Sequence, residues 1–147
     1  MMLTVEAYLM GRDKQYPDEL TVDLRINAQE TVVRVNHLFG YFGEHRAVRS
    51  GWRPKAVNAV TKNAKPNSRH ITCQACDLDD GFYWLHVQTV PPRSNKRIFI
   101  PSSNPPLGPA PPDGTLTKWA LNNLTILEKI GLWMENPRWC YTLKETE

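Results

Sequence analysis

Two histidines and an aspartate have the residue types and spacing of a metal site. His70 and Asp77 lie in Ser68-Arg-His-Ile-Thr-Cys-Gln-Ala-Cys-Asp77, and His86 lies in Trp84-Leu-His-Val-Gln88. Zinc in a hydrolase takes three protein ligands, histidine nitrogen and carboxylate oxygen among them, and keeps a fourth position for water. Asp80-Gly81 between two apolar runs is the strongest hairpin signal in the chain. With Asp80 and Gly81 as the loop, residue 79 faces 82, 77 faces 84 and 75 faces 86. Opposed residues share a face, and so do residues two apart on one strand, so Asp77 and His86 become diagonal neighbours. Diagonal side chains start roughly 7–8 Å apart and can close around one ion at bonds of about 2.0–2.2 Å. His70 must reach the same point from the strand or loop before Asp77. The same spacing also describes a surface hairpin whose polar residues happen to share a face. Spacing alone leaves both readings open.

The other chemistry-bearing residues are less organised. Cys73 and Cys76 form a C-x-x-C, and Cys140 stands alone. A four-thiolate zinc site needs a second pair, and a redox pair belongs at a helix start, whereas this segment reads as strand. We read the two as small apolar residues flanking a site. The odd cysteine count points to a reducing compartment. His37 has no ligand partner nearby and reads as structural.

The elements that must position these residues follow from the pattern. At 147 residues, 41% hydrophobic and 22% charged, the chain fits a single domain, 1–147. Residues 2–9 and 20–25 alternate weakly, as paired edge strands would, and 13–18 forms a polar turn. Asn27 reads as an N-cap with Glu30 at the capping-box position, opening a core helix over 28–42. Residues 47–53 are strand-like, and 54–69 are loop with room for one helical turn. The 70–78 and 82–90 segments flank the hairpin, and 97–100 is another short strand. Residues 101–113 hold six prolines and form a surface connection. A second helix runs over 115–131, with Leu116, Trp119, Ala120, Leu124, Leu127 and Ile130 as its buried face and Gly131 as its cap. The expectation is an α+β fold, a small antiparallel sheet with two packed helices.

Charge and targeting bound the partners. The net charge is +3, and Lys and Arg are scattered apart from Arg93, Lys96 and Arg97. A nucleic-acid partner is therefore not expected. The first nine residues lack a signal peptide's basic start and long apolar run, and no stretch approaches the ~18 apolar residues of a membrane span. A cytoplasmic protein with no membrane partner is expected, unless something else releases it.

Ser50-Gly-Trp-Arg53-Pro54, then Ser68-x-His70 through Ala75-x-Asp77, then Trp84-x-His86 resemble the signature of the D-alanyl-D-alanine metallopeptidases. These are zinc carboxypeptidases, dipeptidases and endolysins acting on peptidoglycan stem peptides. The family pattern S-x-H-x-x-G-x-A-x-D is matched except that Cys73 stands for its Gly. The likeness extends over Gln88 to Pro101 and over Gly131-Leu-Trp-Met-Glu135-Asn-Pro-Arg-Trp139. Segment order departs from the family. Relatives are expected to carry the helix and the Gly-Leu-Trp-Met-Glu segment between the aspartate and the W-x-H strand, whereas here 81–113 precede 114–142.

The resemblance implies amide hydrolysis at Zn2+ held by His70, Asp77 and His86. Arg53 would face the substrate carboxylate or the developing oxyanion, tasks that suit a guanidinium fork. Ser50 would support that turn or the substrate, and Trp84 would wall the cleft or pack in the core. Gln88, one pleat past His86, would hydrogen-bond a ligand. Members of the wider family often place an acidic base three residues before the last histidine. Tyr83 stands there and cannot serve near neutral pH, which leaves Glu135 as the candidate general base. The implied protein is a monomer cutting peptidoglycan stem peptides in the cell wall, as a phage lysis enzyme would. The alternative is a rearranged, inactive relative serving as a cell-wall binding module.

Overall fold

Threonine caps open both main N-terminal helices of the computed structural model, which describes residues 2–62, 64–81, 83–91 and 114–134. Thr4 Oγ1 accepts from the Ala7 amide at 3.1 Å and starts α1 (Val5–Leu9). Thr21 Oγ1 accepts from the Leu24 amide at 3.2 Å and starts α3 (Val22–Phe42), with Asp23 in its first turn. The short α2 (Arg12–Gln15) lies between them. The expected edge strands at 2–9 and 20–25 are therefore helical from Val5 and from Val22, and the polar turn expected at 13–18 is helix to Gln15 and bend or turn over 16–18. A weak two-residue alternation loses to two good caps. Asn27 is not a cap. It sits inside α3 and spends its side chain on the Thr72 carbonyl at 3.1 Å. Ala28, Thr31, Val32, Val35, Leu38 and Phe39 form the buried face of α3 at the three- and four-residue spacing of a helix.

The architecture is α+β, with six helices and an open three-stranded antiparallel sheet in the order β1-β2-β3 among the described residues. The six exceed the expected two because α1 and α2 occupy the N-terminal segment, a short helix forms after the first strand, and the expected second helix is split in two. β1 is Val48–Ser50, α4 is Lys55–Val60, β2 is Ala75–Asp80 and β3 is Tyr83–Gln88. Cys76, Leu78, Leu85 and Val87 are fully buried and join the helices in one hydrophobic cluster.

The hairpin register differs from the expected one. Asp80 pairs with Tyr83, Asp79 with Trp84 and Asp77 with His86. Asp77 and His86 are thus directly opposed rather than diagonal. The turn moved one residue along because Asp80 is needed elsewhere. Its buried carboxylate accepts from the Leu116 amide at 2.9 Å, the Thr117 amide at 2.8 Å and the Thr117 hydroxyl at 2.7 Å. That caps the start of α5 (Thr115–Leu121).

The expected single helix over 115–131 is two, α5 and α6 (Leu124–Ile130). Asn123 breaks it, donating to the Trp119 carbonyl at 2.7 Å instead of continuing the helix. Gly131 ends α6 in the left-handed region at φ +89°. Arg34 donates to the carbonyls of Thr89 at 3.0 Å and Gly131 at 2.8 Å, tying this block to the end of β3. Trp133 then pairs antiparallel with Gln88. The 114–134 segment therefore docks at both ends of the hairpin. The proline-rich stretch 101–113, the strand at 97–100, the cluster Arg93, Lys96 and Arg97, and Glu135, Trp139 and Cys140 lie outside the described residues. Among the described residues no helix is long and apolar enough to cross a membrane.

Candidate metal centre

His70 sits in the turn before β2, and other parts of the chain fix it there. Its amide donates to Ser68 Oγ at 3.2 Å, and its carbonyl accepts from the Arg53 amide at 3.1 Å. The following residues are pinned as well. Trp52 Nε1 donates to the Ile71 carbonyl at 3.0 Å and Thr31 Oγ1 to the Cys73 carbonyl at 2.6 Å. Cys73 takes the left-handed conformation at φ +60°. A glycine enters that region without strain, which gives a physical reason for glycine in the motif that Cys73 interrupts. Cys73 and Cys76 are buried free thiols, and burial pushes the Cys73 thiol up to about 12. They pack as small apolar residues.

The ring of His70 is 2% exposed and its Nδ1 lies 2.8 Å from the Gly51 carbonyl, which can only accept. Nδ1 therefore carries the proton. Gly51 is required by close approach, since a Cβ there would collide with the Tyr8 carbonyl. Burial lowers the His70 pKa from its ordinary value, although the Asp77 carboxylate opposes this, so the ring is neutral and Nε2 presents a lone pair. That nitrogen is buried, makes no hydrogen bond among the described residues, and stands 3.3 Å from Asp77 Oδ2.

Asp77 is 9% exposed and faces both imidazoles. Its Oδ1 lies 2.7 Å from His86 Nδ1. Burial would raise its pKa, whereas a proton on His70, and then one on His86, facing the carboxylate would hold it below the usual carboxylate range. A neutral imidazole lone pair facing a carboxylate oxygen in a buried setting is two acceptors without a donor, an arrangement that costs free energy. A cation between them removes the cost. The three ligand atoms lie within 4.8 Å of one another, and a tetrahedral ion with bonds of about 2.0–2.2 Å needs roughly 3.3–3.6 Å. Closing the set around one ion takes a shift of at most about 1–1.5 Å in the ligand atoms. His70, Asp77 and His86 could thus hold a metal ion.

The remaining residues take different places. Arg53 is 8% exposed and donates to Asn58 Oδ1 at 3.2 Å, while its buried Nε finds no partner among the described residues. Burial lowers its pKa, and the nearby Asp77 carboxylate opposes that. It is a desolvated cation beside the site with a donor to spare. Ser50 pairs with Asp77 across β1 and β2. Trp84 shares the face of His86 and is largely buried, with the Arg49 guanidinium 4.5 Å from its ring centroid. It is packed and covered, so it is not an open cleft wall. Gln88 Oε1 lies 2.9 Å from His86 Nε2. Glu135 lies outside the described residues, immediately after the buried Met134. An open groove of 510 Å³ passes beside Asn58 and Ser68, the partners of Arg53 and His70. His37 is exposed on α3, as a residue without a metal role can be.

Sequence reasoning missed two contributors, the Gly51 carbonyl that orients His70 and the Asn58 amide that holds Arg53. A glycine immediately before a buried Trp-Arg pair was the one available signal for the first. No protein-family model matches the chain, and no curated protein and no solved structure matches it either.

Proposed function

We propose that this protein is a zinc-dependent peptidase for peptidoglycan stem peptides. The observation that carries the reading is the buried convergence of His70 Nε2, the Asp77 carboxylate and His86 Nδ1 beside Arg53. Two imidazoles and one carboxylate are a donor set that suits zinc and leaves a coordination position open. A zinc ion held by His70, Asp77 and His86 would supply Lewis-acid chemistry for the scissile carbonyl and for its bound water. Arg53 binds the substrate's terminal carboxylate or the oxyanion that develops on the carbonyl, through the donor it has in reserve. Glu135 accepts the proton from the attacking water. The substrate class rests on the likeness of Ser50–Pro54, Ser68–Asp77 and Trp84–His86 to the D-alanyl-D-alanine metallopeptidases.

Metal analysis and a stem-peptide hydrolysis assay test the reading together. The expected result is one zinc per chain and cleavage that Glu135→Gln reduces at least a hundredfold with zinc and fold retained. Purified protein that takes up no zinc overturns the reading. A second reading has Tyr83 in its favour, since members of the wider family that the chain resembles often place an acidic residue at that position. It is an inactive relative that binds the wall, for which zinc is present, wall fragments bind and no bond is cut.

A further inference from the structure

We infer that Gln88 is a positioning residue that fixes the tautomer of His86 and so aims its Nδ1 lone pair at the metal. The inference rests on the metal-centre reading above. Gln88 is 1% exposed at the end of β3. Its Nε2 donates at 2.9 Å to the Val90 carbonyl, which can only accept. The amide therefore has one orientation, with Oε1 toward His86 Nε2 at 2.9 Å. An amide oxygen also only accepts, so this contact requires the proton of His86 on Nε2. Nδ1, 2.7 Å from the accept-only Asp77 Oδ1, is then the nitrogen at which a metal ion would take the place of a proton and receive the lone pair.

The backbone of Gln88 is equally constrained. Its amide donates to the Trp133 carbonyl at 2.9 Å and its carbonyl accepts from the Trp133 amide at 2.8 Å. The segment after α6 thus holds Gln88, and Gln88 holds the ring. His70 is arranged the opposite way, with Nδ1 tied to the Gly51 carbonyl and Nε2 facing the site. The two histidines present different nitrogens because different acceptors claim the other one. Only the acceptor on His86 is a side chain, so only that one can be changed by substitution.

The test measures the zinc dissociation constant of the full chain by competition with a chromophoric chelator, for wild type, Gln88→Leu and Gln88→Glu. Leucine has similar bulk and cannot accept, whereas the glutamate still can. Gln88→Leu is expected to weaken zinc binding about 10–100-fold, and Gln88→Glu to restore most of it. Nitrogen chemical shifts of the His86 ring in the zinc-bound wild type should show a protonated Nε2 and a metal-bound Nδ1. Zinc binding by Gln88→Leu as tight as wild type overturns the role, as does a Gln88→Glu variant as weak as Gln88→Leu. If Gln88→Leu does not fold, the ring shifts of the wild type decide, and an unprotonated His86 Nε2 overturns the role. None of these readouts is hydrolysis, so failure here leaves the peptidase reading standing. Zinc bound through this tautomer without peptide cleavage removes only that reading.

Discussion

On one face of the β2–β3 hairpin lie Cys76, Leu78, Leu85 and Val87, fully buried against the helices. On the other lie Asp77, His86 and Gln88, largely buried as well but polar and bonded to one another. Alternation along two strands of six residues each produces both faces. The apolar face is stabilised by non-directional burial that tolerates small shifts. The polar face is tolerable only while each donor meets an acceptor, and it gains nothing from area alone. The hairpin thus draws its stability from one side and its chemistry from the other, and neighbouring substitutions should separate the two.

The largest expected contrast is between adjacent residues. Leu85→Ala opens a cavity in the core and should cost about 2–5 kcal/mol in urea unfolding, enough to threaten a domain of this size. His86→Ala should abolish zinc uptake while destabilising the metal-free protein by about 1–3 kcal/mol, the cost of leaving the buried Gln88 Oε1 without its donor. His37→Ala, on the exposed side of α3, should retain zinc. Equal loss of stability at positions 85 and 86 would remove the distinction between the faces.

A smaller effect concerns pH. Burial depresses the pKa of His70 in the folded state, so the unfolded chain takes up that proton first as pH falls. Its stabilising contribution is present above the unfolded value of about 6.5 and is lost as pH drops through the lower folded value. Metal-free protein should therefore lose stability below about pH 6.5, and His70→Gln should flatten that part of the profile. An unchanged slope in the variant would place the titration elsewhere.

The smallest effect is at Cys73. Cys73→Gly relieves left-handed strain of about 1–2 kcal/mol and gives up a small buried side chain of similar value, so unfolding should move little. Cys73→Val puts a branched residue at φ +60° and should cost about 2 kcal/mol or more. The difference between the two variants, measured in urea, tests the backbone reason for the interrupted motif.

Asp77 and His86 share a face in both registers of the hairpin because the two differ by a shift of two residues, which preserves parity. The alternation of 75–78 and 84–87, the spacing of Val32, Val35, Leu38 and Phe39, and the glycine ending at 131 are likewise written in neighbouring residues. That is why the α+β class, the hairpin and the ligand trio were legible. Register was not, because Asp80 leaves the turn to cap a helix 35 residues later, the separation of residue 115 from residue 80. The tautomer of His70 was not legible either, since the Gly51 carbonyl is 19 residues away in sequence. Nor were the strand-like stretches 2–9 and 20–25, whose weak alternation yielded to threonine caps and to packing against the rest of the chain. Periodicity is a property of a few adjacent side chains, so the sequence alone determined which residues face together. Which donor meets which acceptor depends on segments that become neighbours only when the core closes, so the tertiary structure alone decided how Asp77, His70 and His86 point at one another.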